Sequence, residues 1–205
     1  MEDADLVRLA ATIYDSSFQG WDKYYDGTAP DGICAGLKNN VLVFRGSYTF
    51  SDWMKDFEVF KLGYPKSHPQ FGTIHDGFDE GLDEFFAKVA PYLSAGTSFV
   101  GHSLGAARAQ LAAGRYILAG GVPAKITTFG SPKPGCQQFA QFLAPYAKSS
   151  YKNGVDPVTD VPLVIGTELA VAAVEPIALQ ETPTDWHEGL MAWHNILLYE
   201  KGIAG

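Results

Sequence analysis

The chain reads as an α/β protein, with a central, mostly parallel sheet and helices on both faces. Three observations predict it. Short apolar runs of strand character alternate through the middle of the chain with segments of helical period. The run Thr97-Ser98-Phe99-Val100 passes through Gly101-His102-Ser103-Leu104-Gly105 into a small-residue helical stretch beginning Ala106-Ala107-Arg108-Ala109. The composition, 46% hydrophobic and 19% charged over 205 residues, is that of an ordinary globular protein with a sizeable core, so a single domain over residues 1–205 is expected.

Taken in order, Leu6, Val7, Leu9, Ala10, Ile13 and Tyr14 recur at helical spacing and predict an opening helix. Asp15 to Gly32 is aromatic and turn-rich, without a clear period. Ile33 to Leu37 and Val41 to Phe44, separated by Lys38-Asn39-Asn40, read as a hairpin. Ser47 to Ile74 is polar and aromatic, with a short helix expected around Asp52 to Val59. Asp76 to Leu93 carries Phe78, Leu82, Phe85, Phe86 and Val89 on one helical face. The helix after Leu104 is expected to run to about Ala119, followed by a strand over Ala124 to Phe129. Gln137 to Pro145 reads as helix and Ser149 to Lys152 as a short strand. Leu163 to Ile165 and Leu169 to Leu179 read as late strands or a hairpin, and Trp193 to Gly205 as a turn or helix.

With Lys+Arg at 15 against Asp+Glu at 23 the chain is acidic, and no basic run offers a phosphate-binding surface, so nucleic acid is not an expected partner. Cys34 and Cys136 make neither a disulfide framework nor a metal-ligand spacing and read as two buried thiols. The opening Met1-Glu2-Asp3-Ala4-Asp5 is acidic where a secretory signal is basic. No stretch reaches the roughly 18 uninterrupted apolar residues of a membrane span. Glu175-Pro176 breaks the most apolar segment. The expected location is therefore the cytoplasm, with export by another route left open.

A strand, a Gly-x-Ser-x-Gly corner and a helix, in that order, are the sequence form of a nucleophile elbow, which singles out Ser103. A serine hydroxyl is a poor nucleophile until a base takes its proton, and histidine titrates near neutrality. The histidines are His68, His75, His102, His187 and His194. In such sheets the order along the chain is Ser, then Asp or Glu, then His, which leaves His187 and His194 as the base. His194 is preferred because it starts the apolar segment Asn195 to Tyr199, which can seat its loop on the core. His187 lies in a polar stretch but stays a candidate. His102, next to the serine, is expected to point away as a packed histidine.

The orienting acid must lie between serine and base. Asp156, Asp160, Asp185, Glu168, Glu175, Glu181 and Glu188 qualify. Asp156 is favoured because it follows a strand, where an α/β site gathers its residues; an Asp-Pro turn is its structural alternative. For an oxyanion, one backbone donor is expected at Leu104, directly after the nucleophile. The other is expected from the Arg45-Gly46-Ser47 end of the strand beginning at Val41, at Ser47.

With these residues in place the chain resembles the class 3 lipases, the α/β-hydrolase family that includes the fungal triacylglycerol lipases. The resemblance covers about Val41 to Tyr199. It rests on Phe44-Arg45-Gly46-Ser47 with Asp52-Trp53 and Asp56, on His75-Asp76-Gly77-Phe78, on the elbow, on Thr128-Phe129-Gly130-Ser131-Pro132, and on Asn153-Gly154-Val155-Asp156-Pro157-Val158 with His194 downstream. It implies an α/β-hydrolase fold with Ser103 as nucleophile, Asp156 as orienting acid, His194 as base, and Ser47 and Leu104 at the oxyanion hole. It makes His75 a structural residue.

Tyr48 to about Ile74 would stand where the family carries its lid, and Tyr48, Phe50, Trp53 and Phe57 suit an apolar cover that touches a lipid surface transiently. The chain is shorter than the fungal enzymes and lacks their secretory signal and disulfides, which implies a compact form with a reduced lid. The expected activity is hydrolysis of carboxylic esters of acyl lipids through a Ser-His-Asp triad, without cofactor or metal. A phospholipase A1 or short-chain esterase is the alternative within the class, and a non-catalytic lipid- or protein-binding module the alternative outside it.

Overall fold

The computed structural model describes residues 1–29, 32–47, 65–146, 148–165, 168–169, 177–184 and 189–205. Among them, seven strands form one sheet in the order β1 (Lys23–Asp26), β2 (Cys34–Lys38), β3 (Val41–Phe44), β6 (Ser98–His102), β7 (Ile126–Phe129), β8 (Lys148–Asn153), β11 (Ile177–Leu179). From β3 to β11 every neighbouring pair is parallel; β2 alone runs the other way, antiparallel to both β1 and β3. Two smaller antiparallel pairs stand beside it, β4 (Pro65–His68) with β5 (Gly72–His75), and β9 (Val164–Ile165) with β10 (Glu168–Leu169).

Side chains of a strand alternate between faces, so each central strand feeds two cores. Ala35, Leu37, Leu42, Phe44, Phe99 and Ile126 face one core. There they meet Phe78 of α2 (Asp76–Asp79), Leu82, Phe85 and Val89 of α3 (Leu82–Val89), Leu111 of α4 (Leu104–Leu118), and Phe139 of α5 (Gln137–Leu143). Cys34, Val41, Val43, Val100, Phe129 and Tyr151 face the other core, closed by Leu6, Val7 and Ala10 of α1 (Asp3–Thr12) and Tyr199 of α6 (Ile196–Ala204). Strands apolar on both faces are what a parallel sheet covered on both sides requires. The α/β-hydrolase architecture expected from the sequence is the one observed, and Cys34 and Cys136 are free and buried.

The hairpin of β2 and β3 turns through Asn39 and Asn40, at φ 49° and 62°, the left-handed pair that a tight two-residue turn needs. Three expectations need correction. The turn-rich stretch after α1 contains the edge strand β1, hidden because it is short and mostly exposed. Residues 65–75 form the β4–β5 hairpin, with Ile74 fully buried. The helix expected over Asp76 to Leu93 is split into α2 and α3 by Gly81 at φ 73°, which ends one helix and starts the next in a new direction. The helix expected around Asp52 to Val59 and the lid aromatics Tyr48, Phe50, Trp53 and Phe57 lie outside the described residues. No helix among the described residues is long and apolar enough to cross a membrane.

Candidate active site

Ser103 stands between the central strand β6 and helix α4, at φ 60° and ψ −132°. Such a backbone is costly for a residue with a Cβ, by about 1–3 kcal/mol, and persists only where the surroundings enforce it. Here the surroundings are two glycines. A Cβ on Gly101 would collide with the Gly105 backbone, and one on Gly105 with the Phe44 carbonyl. Strand and helix close on each other only because both positions lack a side chain. The Ser103 N–H donates to the Phe129 carbonyl at 3.0 Å, tying the corner to β7. α4 runs away from Ser103, so its N-terminal dipole favours negative charge beside the hydroxyl.

Asp156 follows β8, whose parallel neighbours also end on this side. Its carboxylate is fully buried and accepts three hydrogen bonds. Oδ1 takes the Val158 N–H at 2.9 Å, and Oδ2 takes the His194 Nδ1–H at 2.7 Å and the Tyr199 hydroxyl. Burial by itself raises a carboxyl pKa. The adjacent His194 charge and these three donors outweigh that and hold Asp156 below the usual carboxylate value. A carboxylate can only accept, so the proton of a neutral His194 is on Nδ1 and Nε2 is its basic nitrogen.

His194 ends the short helical turn Gly189–His194, just before α6. Asn195 caps α6 by accepting the Leu197 N–H at 2.9 Å. Asn153, fully buried at the end of β8, donates to the Glu181 and Trp193 carbonyls at 3.0 and 3.3 Å and accepts the Glu181 N–H. The strand that leads to Asp156 thereby also holds the residue before His194. Gly130 leaves room for the pair: a Cβ there would lie 2.8 Å from both Asp156 Oδ2 and His194 Nδ1.

Ser47, Ser103 and His194 line one cavity of about 370 Å³, together with Tyr14, Met191, Ile196 and Leu197. A larger cavity of about 490 Å³ opens among Phe86, Tyr116 and Val122 at the opposite end of the sheet and holds none of these polar groups. Among the described residues no cluster of His, Cys, Asp and Glu could hold a metal ion.

The model for Lipase (class 3) matches residues 41–165, more than half of the chain, from β3 through the elbow to beyond Asp156. The chain belongs to the class 3 lipase family. It is 32% identical over 139 residues to the secreted mono- and diacylglycerol lipase 1 of Fusarium solani, a match covering 62% of this chain and 40% of the relative. The chain thus spans about two fifths of the length of the curated relatives it matches. A solved triacylglycerol lipase described as having a serine protease triad superposes with a TM-score of 0.64 at 19% identity, covering 98% of this chain and 95% of that one. The mono- and diacylglycerol lipase of Aspergillus oryzae gives 0.62 at 20%, covering 90% and 81%.

In this class 3 lipase chain, Ser103, Asp156, His194 and Ser47 are drawn to one end of the sheet, with Leu104 opening α4 directly after Ser103. Asp156 and His194 are directly bonded. His187 lies outside the described residues. His102 is packed, as expected, but hydrogen-bonded at both ring nitrogens. His75 is buried and stacked on Phe78 at 4.1 Å, away from the cavity. Tyr199, Asn153, Gly130 and Tyr14 were not singled out from the sequence. In the sequence Tyr14 and Tyr199 read as apolar packing residues and Asn153 and Gly130 as turn neighbours of strands, and no local signal marks their contacts with the site.

Proposed function

We propose that this class 3 lipase chain is a serine carboxylic-ester hydrolase acting on acyl lipids, with residues 1–205 as one catalytic domain. The observation that carries the proposal is the buried Asp156–His194 hydrogen bond beside a strained serine on the same cavity wall. Ser103 attacks the ester carbonyl as His194 Nε2 accepts its proton, and Asp156 fixes the imidazole tautomer and balances its charge. The carbonyl oxygen, now an oxyanion, is held by the Ser47 and Leu104 amides; losing one such donor costs about a hundredfold or more in rate. His194 returns the proton to the leaving alcohol, leaving Ser103 acylated. Water then attacks the acyl group with His194 as base, which releases the acid and restores Ser103. The reaction needs no cofactor.

Acylglycerols are the proposed substrates, supported by the mono- and diacylglycerol lipase activity named for the Fusarium relative. The apolar Met191, Ile196 and Leu197 on the cavity wall, Leu197 60% exposed, support an acyl chain and contact with a lipid surface. The proposed setting begins with cytoplasmic synthesis, and the secreted relative supports export.

The test is ester hydrolysis by purified protein over triacylglycerols, diacylglycerols, phospholipids and soluble p-nitrophenyl esters, beside Ser103→Ala. The wild type is expected to hydrolyse esters and take up a fluorophosphonate probe, and the variant to do neither. Undiminished hydrolysis by Ser103→Ala sinks the assignment. A folded wild type that takes no label points to the binding module instead.

A further inference from the structure

Behind the proposed nucleophile and base runs a line of hydrogen bonds that the reaction as written does not use. The Gly46 N–H donates to the Tyr14 hydroxyl at 3.0 Å, that hydroxyl lies 2.8 Å from His102 Nδ1, and His102 Nε2 lies 2.8 Å from the His194 carbonyl. The His102 and His194 rings are stacked, with centroids 4.6 Å apart. We propose that Tyr14 and His102 form a positioning relay that sets the oxyanion loop and the base loop at the same time. The inference rests on the Ser-His-Asp reading above.

The protons of this line have one consistent arrangement. The His194 carbonyl can only accept, so His102 carries its proton on Nε2. Burial pushes the His102 pKa down to about 3, so the ring is neutral near pH 7 and Nδ1 is a bare acceptor. Tyr14 must then donate to Nδ1, and its oxygen is left to accept the Gly46 N–H. Burial, the largest influence on Tyr14, raises its pKa well above the usual phenol value, so the hydroxyl keeps the proton it donates.

Each bond joins a different part of the site. Gly46 precedes Ser47, His102 precedes Ser103, and His194 is the proposed base; Tyr14, just past α1, closes the line. Gly46 is seated tightly: a Cβ there would lie 2.6 Å from the Tyr14 oxygen and 2.9 Å from the Ser103 Cβ. A phenylalanine at 102 would fill the same space but could hold neither neighbour. The relay touches no reacting atom. It acts by keeping the donor loop and the imidazole in the geometry that the transition state needs, where an error of about 1 Å costs on the order of a hundredfold.

Tyr14→Phe, His102→Phe and His102→Gln are to be compared with wild type on a soluble p-nitrophenyl ester, with rates divided by active sites titrated to completion with a fluorophosphonate. Tyr14→Phe is expected to lower kcat by roughly tenfold to a hundredfold, with KM changed by less than about twofold, because misplaced donors cost most in the transition state. His102→Phe is expected to fall at least as far. His102→Gln keeps an N–H for the His194 carbonyl and should recover part of the loss. The double variant Tyr14→Phe/His102→Phe should lose clearly less than the product of the two single losses, since both act on one line and share the Tyr14–His102 bond. Imidazole ¹⁵N shifts of the wild type should show His102 neutral and protonated on Nε2 from pH 5 to pH 9.

An unchanged kcat per titrated site in Tyr14→Phe, or a His102 that is cationic or protonated on Nδ1, overturns the relay while leaving the hydrolase reading intact. A wild type that hydrolyses no ester and takes no label overturns the hydrolase reading, and the relay with it.

Discussion

Asp156 and His194 touch through a gap that Gly130 leaves open, and the cost of closing it is a test at the scale of one residue. Gly130 has φ 56°, and an alanine there would add backbone strain and a methyl group 2.8 Å from both partners. Gly130→Ala is expected to lower kcat by about a hundredfold or more by moving the imidazole from its acid. Gly120 is the control: it has φ 89° but nothing within 4 Å of a built Cβ. Gly120→Ala should cost only strain, of order 1 kcal/mol, and leave kcat per folded molecule unchanged. Steady-state rates on a soluble ester and urea unfolding separate the two effects. Equal kcat losses in both variants would mean that the gap at Gly130 has no special place in the site.

At the scale of elements, the elbow is held from its far end as well. Arg115, near the end of α4, donates to Asp79 at 2.7 Å and to Asp83 at 2.8 Å, and Lys66 of β4 lies 2.5 Å from Asp79. Asp79 and Arg115 are buried. One cluster thus ties α4 to α2, α3 and the β4–β5 hairpin. Removing one partner of a buried pair costs about 3–5 kcal/mol, and the low end applies where, as here, Asp83 still reaches Arg115. Asp79→Ala is therefore expected to lose about 3 kcal/mol in urea unfolding while keeping its kcat, because α4 still starts at Ser103 between the same glycines. A loss under about 1 kcal/mol would mean that solvent reaches the cluster and screens it.

Most elements were legible because their causes are local. The 3.6-residue spacing of Leu6, Val7 and Ala10 reports one buried face, and the uninterrupted apolar run of Val41 to Phe44 a strand buried on both. What escaped had weak local signals. β1 is short and mostly exposed, and the hairpin at residues 65–75 begins Pro65-Lys66-Ser67-His68, which has no apolar alternation. The helix split at Gly81 was masked by an apolar stripe that continues in phase across it, from Phe78 to Leu82 and Phe85.

For the whole molecule, two buried histidines link stability to pH. Burial lowers His102 to about 3 and His75 to about 4, from an unfolded value near 6.5. Both folded pKa values are depressed, so below about pH 6.5 the unfolded chain binds protons that the folded chain refuses until about pH 4. Their contribution is complete above 6.5 and is lost as pH falls, by up to about 1.4 kcal/mol per pH unit for each. Urea midpoints should stay nearly level from pH 7.5 to about 6.5 and drop from there to pH 5, even though the chain approaches its isoelectric point near 5.0, where net-charge repulsion is least. His75→Gln should flatten that slope by about one proton. Equal midpoints at pH 7.5 and pH 5 would contradict the burial of both rings in neutral form.

The sequence by itself determined the α/β alternation, the elbow at Ser103 and the small set of residues from which a base and an acid could come. These follow from local sterics and periodicity, which a stretch of chain carries wherever it is placed. Only the tertiary structure decided which partners meet. Asp156 and His194 are 38 residues apart, Tyr14 and His102 are 88 apart, and His102 and the His194 carbonyl are 92 apart. Strand order and the packing of α1 and α6 against one face of the sheet bring them together. No local propensity encodes such distances, because they are set by how two cores close on opposite faces of the same strands.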